Sequence, residues 1–389
     1  MIEFLAKKWI HNREDVRDPE VRRRYGVLCS LTGICLNIFL FLGKYLAGVL
    51  SGSIAIMADA VNNLSDAGSS LITLIGFKFA GMKPDQEHPF GHGRIEYLSG
   101  LAVAAAIMLM GVELGRSSIE KIRNPEAVET SALSIGILVV SVGVKLYMSH
   151  YNRSIGKKIS SSAMKATATD SLSDAVATTV VLLSMLILKF TGINVDGWCG
   201  VLVALFILYA GYGAARDTLD PLLGQRPDPE LIEEIQRITL SHPEILGIHD
   251  LVVHDYGPGR VMISLHGEVS GDGDIFELHD VIDCIEKELK EKLGCEAVIH
   301  MDPIETNNET VRRTREEVAH MAALVNPEMT IHDFRMVTGP THTNLIFDIV
   351  IPFGEKRTDE EIREEISRRI GEKWKTYCAV ISVDHGDVL

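Results

Sequence analysis

Six apolar stretches, each about as long as a membrane-spanning helix, constrain this chain more than any other feature. They cover residues 27–50, 54–80, 97–119, 132–150, 163–190 and 195–215. An α-helix rises ~1.5 Å per residue, so about 20 residues cross the ~30 Å hydrocarbon layer of a bilayer. Acidic residues interrupt the second and fifth stretches, but the set as a whole predicts a bundle of six transmembrane helices.

The distribution of basic residues predicts how this bundle is oriented. Lys and Arg accumulate in residues 1–26 and in the predicted loops 81–94 and 151–165, whereas the predicted loops 51–53 and 191–194 contain none. Short cytoplasmic loops are enriched in Lys and Arg. Residues 1–26 also lack the apolar core and small-residue cleavage site of a secretory signal. We therefore expect a multi-pass protein of the cell membrane, surrounded by lipid, with both termini in the cytoplasm.

The carboxy-terminal part of the chain is strongly acidic. Residues 225–389 hold 34 Asp and Glu against 17 Lys and Arg, while the whole chain has a net charge of −15. This balance argues against nucleic acid as a partner and is compatible with divalent cations. The six cysteines show no CxxC spacing, so we expect free thiols in a reducing compartment.

The acidic part also contains an internal repeat. The sequence Gly-Ile-His-Asp-Leu at 247–251 corresponds to Thr-Ile-His-Asp-Phe at 330–334, and Ala-Val-Ile-His-Met-Asp at 297–302 corresponds to Ala-Val-Ile-Ser-Val-Asp at 379–384. In each copy a charged amphipathic helix precedes two alternating strands, a second helix and a last strand. After a transmembrane domain at 27–222, we therefore predict two tandem α+β domains of ferredoxin-like αββαβ order, at 223–305 and 306–389.

Two acidic stretches lie within the predicted spans, at 59–66 and 170–174. Asn62 and Asp66 are four residues apart, as are Asp170 and Asp174, so each pair projects from one face of a helix. Ionisable groups at membrane depth cost several kcal/mol and persist mainly where they pair, line a polar cavity or bind an ion. The four side chains predict one shared cation site; the alternative is that they only cap helices or bond within the bundle.

These residues resemble a known family. Ser-Gly-Ser at 51–53, Ala-Asp-Ala at 58–60, Asn-Asn-Leu-Ser-Asp at 62–66, His-Pro-Phe-Gly-His-Gly-Arg at 88–94 and the later Asp170/Asp174 pair are similar to the motifs of the cation diffusion facilitator family. The resemblance extends over about residues 27–305 and leaves the second repeat outside the usual pattern. It implies a homodimeric transporter rather than an enzyme, without a cofactor, that exports divalent transition metals from the cytoplasm in exchange for protons.

The central site departs from the zinc-transporting pattern of the family, which includes histidine. The matching positions here are Asn62, Asp66, Asp170 and Asp174, which resemble the bacterial manganese-exporting branch. Imidazole suits zinc, whereas carboxylate and amide oxygens suit magnesium, calcium and manganese. We therefore predict Mn²⁺ as the main substrate, with Zn²⁺, Fe²⁺, Cd²⁺ or Co²⁺ as alternatives.

The resemblance implies additional metal sites outside the central one. The residues concerned are Asp85, His88 and His92 in a peripheral loop, and His249, His266, His300 and Asp302 in the first cytoplasmic domain, with His254 and His279 as further candidates. In the second repeat Ser382 replaces His300, so we expect metal in the first copy only. The alternatives are a loop fixed by Pro89 and Gly91, and histidines with ordinary structural roles.

Two other residues have structural roles by resemblance. Arg94 is expected to pair with Asp220, or with Asp217, at the foot of the sixth span, although a basic residue there also fits the positive-inside preference. Asp59, one turn before Asn62, is expected to orient the central site rather than to bind the metal.

Three function classes are consistent with these features. The first is a metal transporter, the second is a membrane-anchored metal sensor, and the third is an intramembrane protease with two catalytic aspartates. Paired carboxylates within the membrane argue against a passive anchor. The Gly-x-Gly-Asp context expected of such a protease is missing around both acidic stretches. The transporter is therefore the favoured prediction.

Overall fold

The computed structural model describes residues 1–16, 18–51, 54–124, 132–191 and 193–386. Within it the chain forms two compact units. The first comprises Met1–Arg226 together with Asp255–Val261, and the second comprises Pro227–His254 together with Met262–Leu389. Of the predicted turn at 51–53, residues 52 and 53 lie outside the described residues.

The first unit is helical. Its helices are α1 (Ile2–Trp9), α2 (Pro19–Ser51), α3 (Ile54–Ala80), α4 (Ile95–Arg123), α5 (Ala132–Lys158), α6 (Ser162–Thr191) and α7 (Asp196–Leu219). Among the described residues, four of these helices are long and apolar enough to cross a membrane, namely α2, α4, α6 and α7. The other two long helices, α3 and α5, correspond to the second and fourth predicted spans and carry charged side chains within their apolar runs.

The helices of this unit pack mainly in pairs, with α6 among several neighbours. Helix α2 packs against α3, α4 against α7 and α5 against α6, while α6 also contacts α3, α4 and α7. Gly211 allows α4 and α7 to approach closely, because a Cβ atom there would lie 2.8 Å from the Met108 side chain. The position of α6 brings Asp170 and Ser173 into the interior, where both are buried.

The second unit contains both repeats. Its elements are α8 (Pro229–Thr239), β1 (Ile245–Asp255), β2 (Val261–Ser270), α9 (Ile275–Leu293), β3 (Cys295–Ile304), α10 (Glu309–Val325), β4 (Thr330–Thr338), β5 (Thr343–Ile351), α11 (Asp359–Lys373) and β6 (Tyr377–His385). Each copy therefore has the predicted αββαβ order. The sheets have the orders β1-β2-β3 and β4-β5-β6, with β4 antiparallel and β6 parallel to β5.

Local sequence explains where the helices of this unit begin. The side chains of Asp228, Asp274, Asn308 and Thr358 each accept hydrogen bonds from backbone N–H groups in the first turn of the following helix. Such residues satisfy N–H groups that have no partner within the helix. Thr358 forms a complete capping box with Glu361.

Each repeat packs its own apolar core, but the two copies also contact each other. Ile235, Leu265 and Ile285 are fully buried in the first copy. The second copy is built around a cluster that includes Phe334, Phe347, Ile349, Ile362, Ile366 and Ile370. Between the copies, Arg315 of α10 donates a 2.8 Å hydrogen bond to the buried carboxylate of Glu268 on β2. The repeats thus belong to a single compact unit.

Candidate metal sites

The predicted carboxylates of the helical unit lie in its interior. Asp66 is on α3, and Asp170 and Asp174 are on α6. Asp66 and Asp170 are 9% and 5% exposed, and the side chain of Asp174 is 12% exposed. The hydroxyls of Thr73 on α3 and Thr167 on α6 lie 2.9 Å apart, so a polar contact joins the two acidic helices beside the cluster.

A lysine that the sequence interpretation overlooked occupies this cluster. The Lys145 ammonium, on α5, lies 2.6 Å from Oδ2 of Asp66 and 2.7 Å from Oδ2 of Asp174. The residue is only 2% exposed. Buried charges persist when they are paired and hydrogen-bonded, and this ammonium donates to both carboxylates. Asp66 and Asp174 are therefore brought together around one cation supplied by the protein itself.

Sequence alone contained a signal for this lysine. Lys145 is the sole Lys, Arg, Asp or Glu in the apolar stretch 132–150. Ionisable residues within a membrane mark functional sites, and this holds for Lys145 as it does for the aspartates. Its partners could not have been derived in the same way, because they depend on how α5 packs against α3 and α6.

The amide that contacts the cluster differs from the predicted one. Asn63 is 3% exposed, and its Nδ2 donates a 3.3 Å hydrogen bond to Oδ2 of Asp66, whereas the Asn62 side chain is exposed. Residues three and four positions apart both share a helix face. The sequence could not decide between the two amides, and the structure places Asn63 beside the carboxylate.

Asp59 also has a lysine partner. Its Oδ2 lies 2.8 Å from Nζ of Lys44 on α2, whose side chain is 3% exposed. This ion pair connects α3 to α2, and the Asp59 carboxylate is therefore neutralised by Lys44. The contact is consistent with the expectation that Asp59 orients the site from outside.

The peripheral loop brings its three predicted residues together. Ligand-type atoms of Asp85, His88 and His92 all lie within 4.8 Å of one another. Oδ1 of Asp85 accepts hydrogen bonds from the backbone N–H groups of Glu87 and His88, at 3.0 and 2.7 Å. The bond from His88 lowers the pKa of the Asp85 carboxyl, and the nearby His92 acts in the same direction. The loop therefore presents a carboxylate that remains ionised beside two imidazoles.

The expected pair between Arg94 and Asp220 is replaced by other contacts. Nε and Nη2 of Arg94 donate to the backbone oxygen of Asp255, at 3.0 and 2.7 Å, and the guanidinium lies over the Tyr256 ring. Asp220 is bound by Arg216, four residues earlier on α7, with 3.3 Å between Nε and Oδ2. A neighbour one turn away satisfies Asp220 locally, and the segment Asp255–Val261 of the same unit provides acceptors for Arg94.

The four predicted residues of the first repeat form a cluster centred on Asp302. Its Oδ2 lies 3.2 Å from Nε2 of His249 and 2.9 Å from Nδ1 of His266, and its Oδ1 lies 3.1 Å from Nε2 of His300. His249, His266 and Asp302 form a group that could hold a metal ion. Within the part of the chain that the structure describes, His254 and His279 belong to no such group.

The second repeat also contributes a ligand-type residue to this region, whereas the sequence predicts a metal site in the first copy only. His332 forms a further ligand-type group with His249 and Asp250. The repeat pattern aligns His332 with His249, but the prediction relied on Ser382 in place of His300 and did not count His332 as a ligand. Proximity between the two copies is a tertiary feature that the repeat pattern does not specify.

Two family models match parts of this chain. Residues 30–223 match the cation efflux transmembrane domain, and residues 227–304 match the cytoplasmic domain of cation efflux proteins. The second repeat therefore lies beyond the matched regions.

Several relatives match almost along their whole length. An uncharacterised transporter of Methanocaldococcus jannaschii is 33% identical over 280 residues, which is 72% of this chain and 98% of the relative. The cation-efflux pump FieF of Shewanella oneidensis is 27% identical over 284 residues, covering 73% of this chain and 96% of the pump. The pump of the same name from Salmonella agona is 29% identical over 291 residues, with coverages of 73% and 95%.

Proposed function

We propose that this chain, which belongs to the cation efflux family, also called the cation diffusion facilitators, exports Mn²⁺ as its principal substrate. Members of this family are transporters of divalent cations and not enzymes, and the metal is their cargo rather than a cofactor. The observation that carries the manganese proposal is the set of three carboxylates in the interior of the helical unit, where Asp66 and Asp170 are buried and Asp174 shares Lys145 with Asp66.

The donor atoms of this cluster support manganese over zinc. Carboxylates from two helices, an amide oxygen and water can make the six-coordinate oxygen shell that Mn²⁺ accepts, whereas zinc gains most from four-coordinate sites with nitrogen or sulfur. Intrinsic affinity favours zinc in almost any site, so selection must come from geometry and from the missing imidazole. Zn²⁺, Fe²⁺, Cd²⁺ and Co²⁺ are the alternative substrates.

We further propose that Lys145 is a tethered counter-cation of the transport cycle. Its ammonium occupies Oδ2 of both Asp66 and Asp174, so an incoming metal must displace it to gain those oxygens. After the metal has left, the ammonium returns and prevents the carboxylates from remaining buried without a positive partner, which would be costly. The Lys145 side chain thus competes with the metal for the carboxylates. It also lowers the free energy that the metal-free transporter needs to return to its starting conformation.

The net charge of the carboxylate cluster also supports the exchange of metal for protons. Three ionised carboxylates and one ammonium leave the empty cluster with a negative formal charge, which an apolar bundle accommodates poorly. Protons are the small cations available to reduce that charge when the metal leaves. We therefore propose proton antiport, and an imposed pH gradient should drive Mn²⁺ movement in sealed vesicles.

The proposed arrangement in the membrane has six crossings and cytoplasmic termini. Helices α3 and α5 complete the six, because Asp59 and Asp66 of α3 and Lys145 of α5 form ion pairs between helices. The excess of Lys and Arg in alternate loops supports the orientation.

The repeats have the helix and strand order of ferredoxin-like domains, and the match to the cytoplasmic domain of this family supports a homodimer. The peripheral loop and first-repeat clusters are proposed as accessory metal sites.

Metal flux into vesicles made from the purified chain tests the proposal. Asp174→Asn keeps the shape of the side chain but removes a carboxylate, and it should abolish Mn²⁺ flux. Asp196→Asn is the matched control, because Asp196 pairs with Lys121 outside the carboxylate cluster. Flux that is equal in wild type and Asp174→Asn would contradict the assigned site. Metal binding by the second unit without flux would favour a sensor.

A further inference from the structure

The two repeats meet through a pair of equivalent histidines. His249 and His332 occupy the same position in their respective copies, and their rings stack with centroids 4.3 Å apart and an interplanar angle of 27°. Both are deeply buried, at 8% and 4% exposed. The neighbouring aspartates, Asp250 and Asp333, both adopt left-handed backbone conformations, with φ of 51° and 55°. The backbones of the two copies thus have the same local conformation beside the stacked histidines.

Among the described residues, these imidazoles lack the hydrogen-bond partners that buried polar groups normally have. Neither ring nitrogen of His249 or His332 makes a hydrogen bond to any described residue. Carboxylates lie nearby: Oδ2 of Asp250 is 3.3 Å from Nδ1 of His249, and Oδ1 of Asp250 is 3.7 Å from Nε2 of His332. Both distances are within the range of ion pairing, but neither contact is a hydrogen bond. Buried nitrogens without partners are uncommon in folded proteins and call for an explanation.

We propose that a divalent metal of the zinc class binds between the two repeats, held by His249, Asp250 and His332. One ligand atom from each of these three residues lies within 4.8 Å of the others. Ligands at ~2.0–2.2 Å from a zinc ion are somewhat closer together than this, so a small contraction of the cluster would complete the site. Asp384 of β6 supplies a further carboxylate oxygen, 3.8 Å from Nε2 of His332.

The donor chemistry separates this site from the carboxylate cluster of the helical unit. Two imidazoles with one or two carboxylates suit zinc and similar borderline metals, whereas oxygen donors alone suit manganese. The inter-repeat site therefore binds a different class of ion from the proposed cargo. Its occupation would connect the two copies, which the contact between Arg315 and Glu268 also joins.

The inter-repeat site is also distinguishable from the cluster around Asp302. A neutral imidazole has one nitrogen lone pair, so His249 can serve one metal at a time. Nδ1 of His249 faces Asp250, while its Nε2 faces Asp302. Within the described ranges, His332 belongs only to the group with His249 and Asp250, and His266 belongs only to the group with His249 and Asp302. Substituting one of these two residues therefore affects a single site.

Zinc binding to the full-length chain tests the inference. The measurement is equilibrium dialysis at controlled free zinc, in an Asp174→Asn background that disables the transport cluster. His332→Phe preserves a buried ring but removes both nitrogens. Asp250→Asn removes the charge while keeping a residue type that tolerates the left-handed backbone. His320→Phe, at an exposed position of α10, is the matched control.

We expect His332→Phe and Asp250→Asn each to bind about one zinc ion fewer per chain than the background protein, or to bind it at least ~10-fold more weakly. The control and His266→Phe should retain the inter-repeat ion. Zinc should also raise the unfolding temperature of the second unit, and His332→Phe should lose that increase. Equal zinc content and equal stabilisation in His332→Phe, Asp250→Asn and the control would overturn the inference. Because no flux is measured, its failure would leave the transport proposal untouched.

Discussion

The transport cluster of the helical unit and the histidine cluster between the repeats satisfy their buried polar groups in different ways. In the helical unit, Asp66 and Asp174 share the ammonium of Lys145. In the second unit, His249 and His332 are buried without hydrogen-bond partners among the described residues. A cluster that carries its own cation can be emptied and refilled, which is what a carrier requires. A cluster whose donors lack partners gains stability by retaining a metal, which is what a structural or regulatory site requires.

Loss of one carboxylate from the helical cluster should have the largest effect. We expect Asp66→Asn and Asp174→Asn to reduce Mn²⁺ flux to the level of protein-free vesicles, because each supplies an oxygen for the metal and an acceptor for Lys145. The measurement is initial Mn²⁺ uptake into sealed vesicles, with Asp196→Asn as the control. If either variant retained more than about a tenth of wild-type flux, a difference of ~1.4 kcal/mol, its carboxylate would not be essential.

Removal of the tethered cation should separate binding from transport. In Lys145→Met the metal no longer has a competitor, so Mn²⁺ should bind more tightly, while turnover should fall by roughly 10-fold or more because the empty carboxylates lose their partner. Binding to the detergent-solubilised protein and flux at saturating Mn²⁺ report the two effects.

Lys145→Arg provides the charge-conserving control for that experiment. Arginine keeps a positive charge near Asp66 and Asp174, so it should recover part of the turnover. If Lys145→Met left both affinity and turnover at wild-type values, Lys145 would have only a structural role, and the contrast between the two clusters would no longer hold.

Removal of residues 307–389 should spare transport but weaken the second unit. The first copy has its own buried core, so a dimeric and active protein is expected. Glu268 would lose the hydrogen bond from Arg315, and a hydrogen bond to a charged group contributes about 1.5–3 kcal/mol. Thermal unfolding, light scattering and Mn²⁺ flux measure the consequences. A truncated protein that failed to fold or dimerise would show that the two copies form one obligate unit.

The amide substitutions should have the smallest effect and are the finest test of the helical cluster. Asn63→Ala removes the hydrogen bond to Asp66 and should lower Mn²⁺ affinity by a few-fold, equivalent to roughly 0.5–1.5 kcal/mol. Asn62→Ala should have less effect if the arrangement seen here is the metal-binding one. A larger loss of Mn²⁺ affinity in Asn62→Ala than in Asn63→Ala would show that Asn62 is the metal-binding amide, as the sequence predicts. Helix α3 would then have to rotate on metal binding.

The two clusters also differ in how far sequence reasoning could predict them. The sequence predicts Asp66, Asp170 and Asp174 as ligands because polar side chains lie four residues apart in apolar segments. Such spacing is a local pattern that can be read without the fold. Lys145 lies on another helix, and its role depends on packing between α5 and α6 that no local pattern specifies. The choice between Asn62 and Asn63 depends on a small rotation of α3, which helical spacing does not resolve.

The same limit applies in the second unit. Hydrophobic periodicity predicted the αββαβ order of both copies, since it is a property of short segments. The contact between His249 and His332 joins residues 83 positions apart, and only the folded chain shows it. Arg94 is a similar case, because its acceptors belong to Asp255–Val261, far along the sequence.

The ratio of Mn²⁺ to Zn²⁺ flux, in vesicles at matched free-metal concentrations, tests the central claim most directly. The claim is that a transport cluster with carboxylates and without imidazole selects Mn²⁺. We predict that wild type transports Mn²⁺ in preference to Zn²⁺, and that Asp170→His, alone or with Asn62→Asp or Asn62→His, shifts the ratio toward Zn²⁺, while Asp196→His leaves it unchanged. A wild-type preference for Zn²⁺, or a ratio that Asp170→His does not alter, would contradict this account.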